Sequence, residues 1–61
     1  MDRRMVITEN AHGWLVETEY LNGLGYWVCL SRTTTTAFPM KAVERVANRE
    51  DYAIIVRNKV Q

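Results

Sequence analysis

The sequence predicts a small α+β domain of order β-β-β-α-β, in which a four-stranded, mainly antiparallel sheet packs one helix on one face. Three observations support this fold class. Two runs rich in β-branched and aromatic residues flank a glycine-bearing turn, which is typical of a β-hairpin. A later segment has apolar residues at helical spacing, and a short continuous apolar run near the end of the chain is typical of a buried strand.

The two strands of the hairpin are predicted at residues 14–21 and 26–32. The loop between them decides which side chains share a face, because directly opposed residues of an antiparallel pair point to the same side. A two-residue loop would mix acidic residues into the most apolar side of the second strand, whereas a three-residue loop opposes Tyr20 to Tyr26. The three-residue loop is therefore expected, and the side chains that it directs into the core under the helix are Trp14, Val16, Tyr20, Tyr26, Val28 and Leu30.

Local signals place the remaining strands and the polar connection. Residues 5–8 predict a first strand that ends at the turn-forming residues 10–13. The four threonines at residues 33–36 suit a turn and a helix cap. Residues 52–58 are predicted as a buried last strand, and residues 59–61 as a frayed end.

The helix is predicted at residues 39–48. Pro39 fits its first turn, and Asn48 can end it in a left-handed conformation. Its apolar residues fall on one side at about 100° per residue, which is the amphipathic pattern, and its other side is basic.

Length and composition limit the function. The 61 residues form a single domain, because a chain of this length buries only about 60% of the surface that it exposes when unfolded. Domains this small usually need a disulfide, a metal or a partner chain to supplement a thin core. One cysteine and one histidine supply neither a disulfide nor the four ligands of a structural zinc site. We therefore expect no metal or cofactor, and self-association or a partner protein instead.

The sequence carries no targeting signal that we recognise. The run after the two N-terminal arginines is too short and too soon charged for a signal peptide, and no apolar run is long enough to cross a membrane. We expect a cytoplasmic location, with which the single Cys29 agrees.

The face of the sheet away from the helix is the candidate interaction surface. The element order leaves this face without a covering layer, and a tryptophan ringed by polar groups is typical of a protein interface. The plainer interpretation is that Trp27 covers the back of a small sheet and lies partly exposed. We favour an interface, with a second copy of the chain or with a different protein. The predicted interface residues are Leu15, Glu17, Glu19, Leu21, Trp27 and Cys29.

Nucleic-acid binding is the alternative, because the helix carries a basic stripe. Such a stripe can contact phosphates, but Glu44 and Glu50 interrupt it, and a solvated helix face is the commoner interpretation. The net charge of +1 and the lack of interleaved aromatic residues also disfavour this alternative. The residues that would make this contact are Arg32, Lys41, Arg45, Arg49 and Arg57.

Catalysis is not expected. A nucleophilic Cys29 would need His12 nearby and an orienting third group, and the spacing arranges neither. Glu17 and Glu19 lie about 7 Å apart by strand geometry, but an open sheet face offers no pocket in which a general acid or base is tuned. We therefore predict that the chain is not an enzyme.

The size and the element order of the chain resemble those of two kinds of phage protein. In size and element order the chain is similar to the small proteins that bacteriophages use to disable host machinery or defence systems, which implies an inhibitor or adaptor in the host cytoplasm. Three strands followed by a helix also look like the arm-binding domains of phage integrases, which place the sheet in the DNA major groove. Here Glu17 and Glu19 stand on the sheet face instead of basic residues and would repel phosphates. Protein binding, as a homodimer, is therefore the predicted function.

Overall fold

The chain forms a four-stranded sheet and one helix in a computed structural model that describes residues 2–57. The elements are β1 (Arg3–Asn10), β2 (Gly13–Leu21), β3 (Trp27–Thr35), α1 (Met40–Glu50) and β4 (Ala53–Arg57). The strand order is β3-β2-β1-β4, and β1 pairs antiparallel with β2 and parallel with β4. The predicted α+β class is confirmed, with a mixed sheet. The expected frayed end and the last residue of the predicted final strand lie outside the described residues.

The central strand β1 supplies most of the core. Met5 and Ile7 point towards the helix and pack with Val43 and Ala47 of α1. Val6 points to the opposite side and has no accessible surface, and its partners Glu17 on β2 and Ile55 on β4 flank it. The core is therefore thin. The buried hydrophobic side chains of the described residues are Met5, Val6, Ile7, Val43 and Ala47.

The loop of the β2–β3 hairpin has five residues instead of the predicted three, since Leu21 opposes Trp27. Asn22 holds this loop, because its Oδ1 accepts hydrogen bonds from the backbone N–H groups of Leu24 (2.9 Å) and Tyr26 (3.0 Å). The change from three residues to five keeps parity, so the two faces near the loop are as predicted. The assignment of Tyr26 to the core was wrong: it lies in the loop and is 67% exposed.

A β-bulge further along the hairpin changes the predicted faces. Glu19 opposes Cys29 but Thr18 opposes Ser31, so Leu30 is the extra residue on β3. Leu30 is 57% exposed, and its assignment to the core was wrong. Because the bulge shifts the alternation by one, Arg32 comes to lie opposite Glu17.

Residues 33–35 belong to strand β3 and only Thr36 lies beyond it, whereas a turn and a helix cap were predicted for the threonine run. β3 continues to Thr35, in keeping with the preference of β-branched residues for strands. Gly13 makes this extension fit. Its φ is +142°, and a Cβ there would lie 2.3 Å from the carbonyl oxygen of Thr35. The residue at the N-cap of α1 is Pro39, which makes no side-chain cap hydrogen bond.

The helix runs two residues beyond the predicted end. Asp51, with φ 62°, adopts the left-handed conformation expected of Asn48, and Tyr52 N–H donates to the carbonyl oxygen of Ala47 at 2.9 Å. β4 is also less buried than predicted, since Ile54 and Ile55 are half-buried and Val56 is exposed.

The helix covers only half of its side of the sheet. Among the described elements α1 approaches β1 and β4, and not β2 or β3. Of the side chains predicted to lie beneath it, Trp14 and Val16 pack against the core, while Tyr20 and Val28 are half-buried beside it. The predicted core under the helix was therefore too wide.

Candidate protein-interaction surface

The sheet face opposite α1, which we name the open face, collects side chains from all four strands. No described element packs on it. All six predicted interface residues lie there, because the register of the ladders gives them one orientation. Charged residues are well represented, with three arginines and two glutamates. The open face carries Arg4, Val6, Thr8, Leu15, Glu17, Glu19, Leu21, Trp27, Cys29, Arg32, Thr34, Ala53, Ile55 and Arg57.

Trp27 is held by an arginine that the sequence did not single out. Arg4 Cζ lies 4.0 Å from the centroid of the Trp27 ring, and Arg4 Nε donates to Glu19 Oε1 at 2.6 Å. Arg4 and Glu19 are opposed on β1 and β2, so the guanidinium reaches across β2 to the ring on β3. Their side chains are only 16% and 14% exposed, whereas Trp27 is 37% exposed. This cation–π contact and ion pair fix the orientation of the ring.

The second glutamate of the open face is also paired. Glu17 Oε2 accepts from Arg32 Nε and lies 3.1 Å from an Arg32 terminal nitrogen, an arrangement that depends on the bulge at Leu30. Cys29 Sγ lies 3.8 Å from the same carboxylate oxygen and donates to the carbonyl oxygen of Ser31 at 3.2 Å. The thiol therefore belongs to a polar cluster at the surface.

These ion pairs change the predicted electrostatics of the open face. Glu17 and Glu19 were expected on this face without basic residues, but Arg4 and Arg32 compensate them. Arg4 was missed because the first strand was predicted to begin at Met5. Its even spacing from Val6 is the signal that could have found it, since residues two apart in a strand share a face.

The five residues of the predicted nucleic-acid contact do not come together. Arg32 and Arg57 lie on the open face, whereas α1 packs against the other side of the sheet. The three helix residues are exposed, and Arg49 pairs with Glu50 at 3.3 Å. One nucleic-acid surface therefore cannot use all of them without wrapping around the domain.

The two residues considered for nucleophilic catalysis lie far apart. His12 is in the β1–β2 turn, where its backbone N–H donates to Asn10 Oδ1. Cys29 is opposite Glu19, near the other end of β2. At about 3.3 Å per residue, this separation is roughly 20 Å. A shallow cleft beside the turn is lined by Asn10, Ala11, His12, Trp14, Thr34, Thr35 and Thr36.

Comparison of the chain with protein-family models, with curated proteins and with solved structures gives no significant match. No helix within residues 2–57 is long and apolar enough to cross a membrane. Within the same residues, no group of three or more histidine, cysteine or acidic side chains is arranged to hold a metal ion. A function is therefore inferred from the geometry of the open face.

Proposed function

We propose that this chain is a non-catalytic protein-interaction module that binds a partner protein through the open face. The observation that carries the proposal is Trp27, fixed in place by Arg4 on a sheet face that no described element covers. Tryptophan and arginine are enriched among the residues that dominate binding free energy. A ring that is already oriented loses little conformational entropy when it enters a partner's pocket.

The surroundings of Trp27 suit a protein partner. Leu21, its opposite neighbour on β2, extends the apolar centre, and the Glu17–Arg32 pair forms a polar border. An apolar anchor within a polar rim is the usual anatomy of a protein interface. A chain of 61 residues that binds in this way acts by occupying a surface of its partner, as an inhibitor does, or by joining two proteins, as an adaptor does.

Nucleic acid is the less favoured ligand of the open face. Arg4 and Arg32 already neutralise glutamates, so a phosphate contact would have to replace two ion pairs. The basic residues of α1 lie on another side of the domain and do not extend the surface.

Affinity capture from a lysate of the native host tests the proposal when two variants are compared. Trp27→Glu should lose the proteins that the wild-type chain retains, because it removes the anchor. Tyr26→Glu is the matched control, since it changes the neighbouring exposed aromatic residue, in the loop outside the open face. Circular dichroism should show that both variants are folded. Equal capture by the two variants would overturn the role of the open face.

Fluorescence anisotropy with non-specific DNA tests the alternative. We expect no salt-sensitive binding at low salt, because Arg4 and Arg32 of the open face are each compensated by a glutamate. Salt-sensitive binding that Arg4→Ala or Arg32→Ala reduces would replace the protein-binding proposal with nucleic-acid binding.

A further inference from the structure

A second uncovered surface lies beside the helix, on the other side of the sheet. A helix of about 10 Å diameter covers two strands that are spaced about 4.8 Å apart, and α1 lies over β1 and β4. The helix side of β2 and β3 is therefore bare beyond Trp14 and Val16. We name this bare strip the ledge, and its side chains are Thr18, Tyr20, Val28, Ser31 and Thr33.

The ledge differs from the open face in that none of its five side chains is charged. The charged residue nearest to it in the ladder is Arg3, which opposes Tyr20 on β1 and lies at one corner. Depletion of charge marks the centre of protein interfaces more reliably than overall hydrophobicity does. Tyr20 and Val28 also belong to the alternating pattern that predicted burial, yet each is only half-buried in the single chain.

The shape of the ledge fits another sheet. The space beside α1 is one helix diameter deep, about 10 Å, and two stacked sheets are also separated by about 10 Å. A second ledge can therefore lie face to face with the first, with each helix beyond the β3 edge of the other copy. Two identical uncharged surfaces meet around a two-fold axis without opposing like charges, as an isologous interface requires.

The thin core points to the same occupant. Few side chains are buried among residues 2–57, and domains of this size usually need a supplement from a disulfide, a metal or another chain. Its single cysteine cannot form an internal disulfide. We infer that two copies of this chain pack ledge against ledge around a two-fold axis. Both open faces then point outward, so this dimer does not rest on the proposed binding role of Trp27.

The expected dimer is a weak one. The ledge is only two strands wide, and interfaces much smaller than about 800 Å² per partner belong to transient complexes. We therefore expect association in the micromolar range, which sedimentation velocity can follow between about 10 μM and 1 mM. A chain that remains monomeric over this whole range would overturn the inference.

Thr33 and Thr34 provide a matched pair of variants. They are adjacent, exposed and identical in type, but Thr33 opposes Val16 on the helix side, whereas Thr34 opposes Leu15 on the open face. Thr33→Glu should raise the dimer dissociation constant at least tenfold, because it places two like charges in the interface. Thr34→Glu should leave the dissociation constant unchanged, and equal effects of the two variants would contradict ledge-to-ledge packing.

Nuclear magnetic resonance locates the contact independently of any variant. Between dilute and concentrated samples, the amide shifts that change should belong to the ledge residues. Changes confined to the open face would show that the copies meet there instead. Trp27→Ala should leave the dimer intact, so failure of the dimer and failure of the proposed partner binding are separate results.

Discussion

Arg4 connects the stability of the open face to its proposed function. One guanidinium stacks on Trp27 and donates to Glu19, so the orientation of the ring depends on an ion pair. The pair is mostly withdrawn from solvent, unlike Arg49–Glu50, in which both side chains are well exposed. Salt screens shielded ion pairs less than exposed ones. Removing one partner of a shielded pair also destabilises the protein more, because it leaves a poorly solvated charge without a partner.

A double-mutant cycle at Arg4 and Glu19 should therefore show coupling. Arg4→Met keeps the aliphatic stem but leaves the Glu19 carboxylate without its partner, and we expect the free energy of unfolding to fall by about 1–2 kcal/mol. Glu19→Gln in the same chain should recover part of this loss. Urea denaturation measures both.

The exposed pair on the helix is the control for this cycle. Arg49→Ala should change the free energy of unfolding by no more than about 0.5 kcal/mol, as exposed pairs usually do. If Arg4→Met lowers the free energy of unfolding by no more than Arg49→Ala does, the idea that Arg4 holds Trp27 in place is wrong.

At the scale of elements, the sequence predicted the order and the class of the fold but not every residue's face. Alternation placed Trp27 and Cys29 correctly, because their pairing lies between the loop and the bulge. It failed beyond Cys29, since no glycine or proline marks the extra residue Leu30. The loop was also misjudged, because the stabilising contacts of Asn22 depend on a five-residue geometry that composition does not reveal.

The width of the helix layer could not be predicted from the sequence either. A hydrophobic pattern shows that Tyr20 and Val28 are suited to burial, but not what buries them. The helix has only one buried stripe, formed by Val43 and Ala47, and this stripe sits on β1. A single helix therefore cannot reach β3, whatever the alternation of that strand.

Leu30 tests the register of the hairpin. Because Leu30 lies at the bulge and is largely exposed, Leu30→Ser should change the free energy of unfolding by no more than about 0.5 kcal/mol. Ile7→Ala, in the fully buried centre of β1, should cost about 2–5 kcal/mol. Chemical denaturation compares them, and a loss at Leu30 as large as that at Ile7 would restore the predicted core position.

For the whole molecule, the two uncovered surfaces have different chemistry and point in opposite directions. The Cα atoms extend over 34 × 27 × 15 Å, so the domain is a thin plate with a half-width helix on one side. The open face is charged, and two ion pairs neutralise its glutamates while it is exposed to water. The ledge is uncharged, and further burial of its half-buried Tyr20 and Val28 would lower the free energy by removing apolar surface from water. The self-association and the partner binding that we propose would therefore use different surfaces.

Dimerisation through the ledge should make the thermal stability depend on protein concentration. A second copy that binds only the folded chain stabilises it by about 1.4 kcal/mol at ten times the dissociation constant, which raises Tm by roughly 5–10 °C in a domain of this size. Differential scanning calorimetry over a concentration series measures this shift. The Tm of Thr33→Glu should stay flat over the same series, while that of Thr34→Glu should follow the wild type. A wild-type Tm that is independent of concentration would mean that the thin core is sufficient for the single chain.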